Sequence, residues 1–220
     1  MVMAKSSYAV FGLGSFGSKL AQALMRQGNT VLVCDSNAQR INELRDKVTE
    51  AVIGDVSNEE VVKELDVSKF DVVILSMSGY FEDQVLALTL LKQEGAKKVV
   101  VKSNSTIQER ILYRLGADEV IQPELDVAER LSRRLSLSNI TDIFEFRGSA
   151  IADVSVPRHI CGKPLKELDL RNKYNITILL MRKAGSIQEY AFGPNTVLEA
   201  GDQLTVFGNE NAIIELFKER

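Results

Sequence analysis

The sequence predicts an α/β fold: a doubly wound parallel sheet followed by a small α+β domain. Three observations predict it. Short continuous apolar runs alternate with helical patterns through the first part of the chain. A glycine-rich turn, Gly12-Leu13-Gly14-Ser15-Phe16-Gly17, joins the first run to the first helical pattern. Near Ser136 the rhythm changes to alternating strands.

Tyr8–Leu13 is bounded by glycine and reads as a buried strand. Phe16 to Gln27 repeats its apolar residues at helical spacing, and Gly28-Asn29 ends it. Thr30–Cys34 is the next strand, and Asn37 can cap a helix to about Lys47. Ala51–Ile53, Val72–Leu75, Val99–Val101 and Val120-Ile121 are further strands. The helices that follow them run from about Asn58 to Leu65, Glu82 to Glu94, Thr106 to Leu115 and Glu124 to Leu135. Strands apolar throughout have both faces covered, which in a right-handed βα series gives a parallel sheet between helix layers, a Rossmann-like fold. A hinge is expected at Leu135–Asn139, dividing residues 1–137 from 138–220. Beyond it, Ile143–Phe146, Ile151–Val156, Ile176–Arg182 and Gln203–Phe207 read as strands, with a hairpin at Gly185-Ser186 leading to a strand at Ile187–Phe192. Leu165 to Leu170 suggests a helical turn, and Asn209 caps a last helix.

The glycines read as GxGxxG, and Asp35 ends the next strand about 20 residues on, the context in which this motif marks a dinucleotide site. Gly12 permits the turn, Gly14 the approach of phosphates, and Gly17 close packing of helix on sheet. The free N–H groups of the helix face the phosphates. Asp35 accepts hydrogen bonds from ribose hydroxyls and repels a 2′-phosphate, which disfavours NADP. Asp55 follows the third strand and could meet base or ribose, or cap the next helix. Ser76 and Met77 follow the fourth strand beside the crevice. Lys102 could reach a phosphate or simply be an exposed lysine, and Glu124 could be a carboxylate favoured by its helix dipole. The candidate set is therefore Gly12, Gly14, Ser15, Phe16, Gly17, Asp35, Asp55, Ser76, Lys102 and Glu124.

The 220 residues carry a net charge of −3, so no basic field points to nucleic acid. The apolar run Val85–Leu91, interrupted by Thr89, is too short to span a bilayer, and Met1–Ser7 offers no signal segment. Cys34 and Cys161 form no metal-type pair, and a reducing cytoplasmic compartment is expected. His159 is the one histidine, in a loop, and no Ser-His-Asp or Cys-His set can be assembled, so a binding protein is expected rather than an enzyme. A small NAD-dependent oxidoreductase is the alternative, and an NAD-sensing regulator a third reading, though one acting as a repressor needs a helix-turn-helix that neither terminus offers. The helix Glu82–Glu94 and the stripe Val127, Leu131 and Leu135 are expected to bury against other subunits.

Phe11–Gly17, Val33-Cys34-Asp35, Gly54-Asp55, Leu115–Asp118 and Pro123-Glu124 together resemble the RCK, or KTN, domain. Asp169–Arg171 and Glu199–Asp202 resemble its companion RCK C-terminal domain. The likeness covers nearly the whole chain and is greatest to the regulatory subunits of bacterial potassium uptake systems, the KtrA/TrkA-like proteins. It implies a cytoplasmic protein peripheral to the inner face of the membrane, with ATP, ADP or NAD(H) as ligand. It implies a KtrB/TrkH-like potassium transporter as partner, and a homodimer assembled into an octameric ring. Lys102 and Glu124 match family positions near the phosphates, Glu124 through a divalent cation. Ser15 replaces the arginine by which such proteins clamp the ATP γ-phosphate. Leu165, Asp169, Leu170 and Arg171 fit the start of the pattern that binds cyclic di-AMP in some members, with Thr177 where asparagine is usual; a surface salt bridge accounts somewhat better for Arg171.

Overall fold

A computed structural model describes residues 5–77, 79, 81–136, 139–146 and 148–218. The chain divides into two compact units, Met1–Glu124 and Leu125–Arg220. The expected boundary at 137/138 falls on Leu137 and Ser138, outside the described residues, while Leu135 and Ser136 of the expected hinge are helical.

In the first unit, strands β1 (Ser7–Phe11), β2 (Thr30–Asp35), β3 (Glu50–Ile53), β4 (Val72–Leu75), β5 (Val99–Lys102) and β6 (Glu119–Ile121) form one sheet in the order β3-β2-β1-β4-β5-β6. All its pairs are parallel. Successive side chains of a strand point to opposite faces, so each strand feeds two cores. Val10, Val31, Val33 and Ile74 pack with Ala21 of α1 (Ser15–Arg26) and with Ile41 and Leu44 of α2 (Ala38–Leu44). Ala9, Phe11, Leu32, Leu75 and Val99 pack on the other face with Val62 of α3 (Glu59–Glu64), Leu88 and Leu91 of α4 (Phe81–Gln93) and Leu112 of α5 (Thr106–Arg114). Fully burying each of the Val, Leu, Ile and Phe side chains among them contributes about 1.5–3 kcal/mol. The chain order reverses between β1 and β4, and the crevice outside the strand ends at that point is where such sheets hold ligands.

α6 (Pro123–Ser136) starts at the end of the first unit and has no buried residue. In the second unit, β7 (Ile140–Phe146), β8 (Ser149–Ser155), β10 (Gln203–Gly208) and β9 (Thr177–Arg182) form an antiparallel sheet in that order. Ala152, Val154, Met181, Leu204 and Val206 face Ile213, Leu216 and Phe217 of α9 (Glu210–Phe217), which Asn209 caps by accepting from the Ala212 N–H. The helical turn expected at Leu165–Leu170 is two short helices, α7 (Leu165–Leu168) and α8 (Leu170–Tyr174), joined at Asp169 in the left-handed region.

The strand expected at Ile187–Phe192 is not formed. That segment meets β9 through the single bridge Arg182↔Glu189, with the Tyr190 N–H donating to the Met181 carbonyl at 2.7 Å. Ile187 is 92% exposed and Tyr190 and Phe192 are exposed too, so the segment's apolar side chains gain little burial that would carry the pairing further.

Candidate functional site

Three strand ends build one cleft of about 310 Å³. β1 delivers Gly12 and Gly14, β2 delivers Cys34, Asp35 and Ser36, and β4 delivers Ser76 and Met77. Gly54, Asp55 and Val56 after β3 close one side, Gly79 and Asp83 another, and Arg40 of α2 stands at the rim.

The glycine loop has the shape that its residues require. Gly12 turns at φ +87°, and a Cβ there would lie 2.8 Å from the Met77 nitrogen. A Cβ on Gly17 would strike the Gly12 carbonyl and stand 2.8 Å from Ser76 Oγ. Only glycine lets α1 and the end of β4 approach the loop so closely. No side chain caps the N-terminus of α1 and no acid lies in its first turn, so its positive end remains available to an anion.

Asp35 is 7% exposed and well supplied with donors. Its Oδ2 accepts from the Leu13 N–H at 2.6 Å and its Oδ1 from the Asn37 N–H at 2.8 Å, while Arg40 Nη1 lies 3.3 Å from Oδ2. Cys34, beside it, is pushed up to about 12 by burial and by the Asp35 and Asp55 carboxylates, and is a neutral thiol. Ser76 Oγ is buried and is without a hydrogen-bond partner among the described residues. An orphaned hydroxyl costs about 1–3 kcal/mol, so its place in the cleft wall marks a group waiting for a partner.

The candidates fall in three places. Gly12, Gly14, Asp35, Asp55 and Ser76 line the cleft. Ser15 lines an adjoining cleft of about 420 Å³, and Phe16 and Gly17 lie in the first turn of α1. Asp55 holds Ser57 at 2.9 Å and 2.7 Å, whereas the cap of α3 is Asn58. Lys102 and Glu124 are outside the lining, joined to each other at 2.5 Å; this bond holds the Glu124 carboxyl below the usual carboxylate range. In the second unit Leu170 is buried, Asp169 accepts from Asn172 Nδ2 at 2.7 Å, and Leu165 and Arg171 begin α7 and the first turn of α8. His159 Nε2 lies 3.0 Å from the Leu216 carbonyl oxygen. Among the described residues no cluster of three His, Cys, Asp or Glu could hold a metal, and no helix is long and apolar enough to cross a membrane.

Arg40 and Asp83 escaped the sequence reading. Asp83 had no signal beyond helical position. Arg40 had one: it is the third residue after the Asn37 cap, a cation in a first helical turn, where the dipole opposes it.

The chain matches the TrkA-N domain family model over residues 8–123 and the TrkA-C domain model over residues 150–219. It is 30% identical over 208 residues to Ktr system potassium uptake protein C of Bacillus subtilis strain 168, covering 93% of each chain. To Ktr system potassium uptake protein A of Vibrio alginolyticus it is 30% identical over 212 residues, 96% of each. Among solved structures, a GsuK channel bound to NAD superposes with a TM-score of 0.64 at 18% identity, over 100% of this chain and 40% of that one. The TrkA-N domain of inner membrane protein ybaL from Escherichia coli superposes with a TM-score of 0.53 at 18% identity, over 61% of this chain and 99% of that one.

Proposed function

The chain belongs to the family of TrkA-N and TrkA-C domain proteins, and on that premise we propose that it is a cytoplasmic regulatory subunit that binds an adenine nucleotide in its first unit and gates a membrane potassium transporter. The observation that carries the nucleotide is the cleft at the ends of β1, β2 and β4. There a buried carboxylate, an orphaned hydroxyl and an uncapped helix N-terminus converge on one space. Asp35 takes the ribose, Gly12, Gly14 and the first turn of α1 take the phosphates, and Ser76 and Asp55 complete the wall.

The relatives named as Ktr potassium uptake proteins match end to end, which supports the same partner class for this chain. We assign residues 1–137 to the nucleotide-binding domain and 138–220 to the C-terminal domain; the family-model spans 8–123 and 150–219 support two domains. On α6, Leu125, Val127, Leu131 and Leu135 are 41–75% exposed, an apolar stripe that supports a homodimer and, through it, a ring at the inner face of the membrane. Lys102 is assigned to a phosphate, Glu124 to a divalent cation near it, and Leu165, Asp169, Leu170 and Arg171 to cyclic di-AMP.

Ligand shifts a gating equilibrium only by its differential affinity for the two states, and ten-fold discrimination supplies about 1.4 kcal/mol per site. The test is potassium flux in liposomes holding the cognate transporter, with and without the protein and each nucleotide. Flux that depends on nucleotide with wild type, and not with Gly14→Asp, is expected. Flux indifferent to nucleotide, protein and mutation refutes gating.

A further inference from the structure

Arg40 lines two clefts at once. It stands at the rim of the cleft that holds Asp35, and it also lines the adjoining cleft of about 420 Å³ with Gly14, Ser15, Asn37 and Glu43. Its side chain is 50% exposed. A guanidinium carries five N–H donors, and among the described residues the recorded partner is Asp35, reached through Nη1. The other donors are free to turn into the adjoining cleft.

This changes the electrostatics of the ribose corner. A lone carboxylate there would repel a 2′-phosphate. Asp35 is not alone: it is paired with Arg40, and its two oxygens accept from the Leu13 and Asn37 N–H groups as well. The space next to that pair is edged by small and polar groups. Ser15, exposed in the first turn of α1, leaves room and offers a hydroxyl, and the uncapped helix start at Gly14 favours an anion. The opposing charge in the adjoining cleft is Glu43, which accepts from Gln39 Nε2 at 3.4 Å.

We propose that the corner between Asp35, Arg40 and Ser15 is a 2′-phosphate subsite, so that the cleft accepts 2′-phosphorylated adenine dinucleotides such as NADPH alongside unphosphorylated ones. The inference rests on the nucleotide-binding reading above. Asp35 then holds the ribose 3′-hydroxyl, Arg40 keeps Nη1 on Asp35 and turns its remaining donors to the phosphate, and Ser15 donates to it. Arg40 is the residue that decides between the two ligand classes.

Calorimetric titration of the full chain with NADH, NADPH, AMP and adenosine 2′,5′-bisphosphate tests this. NADPH is expected to bind within about ten-fold of NADH. Arg40→Ala should weaken NADPH and the bisphosphate by about ten-fold more than NADH and AMP, and Arg40→Lys should restore part of the difference. The preference lost in Arg40→Ala should also shrink as salt rises. A wild-type penalty against NADPH above ten-fold, or an equal loss for both classes in Arg40→Ala, overturns the subsite and leaves the nucleotide reading standing. Failure of all four ligands to bind overturns both.

Discussion

Replacing Gly12 with alanine separates two costs that the glycine loop avoids. The residue sits at φ +87°, where an L side chain costs about 1–2 kcal/mol. The added Cβ would also lie 2.8 Å from the Met77 nitrogen and 2.9 Å from the Ser76 carbonyl carbon, both backbone, so strand β4 must shift. Overpacking of this kind costs about 1–3 kcal/mol, which gives a total of about 2–5 kcal/mol. Gly28 is the control: its φ is +85°, and a Cβ there meets nothing within 4 Å, so Gly28→Ala should carry the first cost alone. Urea titration of the full chain in a Cys161→Ser background can read the first unit by itself. Cys34 is fully buried and its thiol is pushed up to about 12, so it reacts with a thiol reagent only when that unit opens. With a slope of about 2 kcal/mol/M, the midpoint should fall by about 1–2.5 M in Gly12→Ala and by about 0.5–1 M in Gly28→Ala. Gly12→Ala should also abolish nucleotide binding, because the displaced Ser76 and Met77 form the cleft wall. Equal midpoints for the two variants would refute the close-approach argument, since the backbone angle would then be the whole effect.

Ser76→Ala should raise the stability of the ligand-free protein by about 1 kcal/mol, because it removes an orphaned buried hydroxyl, and weaken nucleotide about five-fold in calorimetry; a loss of stability would show that the hydroxyl had a partner. Asp202 is fully buried and accepts from the Glu199 and Ala184 N–H groups and from Lys183 Nζ at 3.0 Å, so Asp202→Ala leaves two N–H donors without their acceptor and should cost the second unit about 1–3 kcal/mol for each, read as faster hydrogen exchange in β10. The hydrogen bond from Lys102 holds the Glu124 carboxyl below its usual range, so the pair's contribution is complete above the ordinary glutamate pKa of about 4.3 and is lost as pH falls through the depressed folded value. Carboxyl NMR titration should return Glu124 to the ordinary range in Lys102→Ala, and an unchanged midpoint would mean that the bond contributes nothing in solution.

The parallel sheet was legible because its strands are apolar on both faces and separated by capped helices; Val72–Leu75 is predicted and found with the same bounds. The first strand is shorter than its apolar run. Gly12 leaves the sheet at positive φ, and the Leu13 N–H turns to Asp35 instead of to a neighbouring strand. The second unit was less legible because two of its three strand pairings join strands distant in sequence. β10 lies between β8 and β9, and nothing local to Gln203–Gly208 distinguishes that arrangement from a hairpin return at Ile187–Phe192. The fixed turn before β10 depends on Asp202, whose three donors come from residues 183, 184 and 199, and only its burial reveals the role.

In the candidate site, the legible residues are those whose backbone has one solution. Gly12 and Gly17 admit no Cβ, and Asp35 follows from the length of one βα unit. Charge balance was not legible, because it depends on which side chain folds back over the strand end. The composition of α2 held the clue: its first turn contains no acid and one arginine, the reverse of what a helix N-terminus favours. A sequence that breaks a local rule tends to do so where another requirement is met. Here the arginine pairs with a carboxylate that lies almost out of solvent, and it offers its remaining donors to the space beside the ribose corner. An aspartate at the end of β2 therefore does not by itself exclude a 2′-phosphate; the sign of the corner is set by the pair, and Arg40 is the half of it that faces solvent.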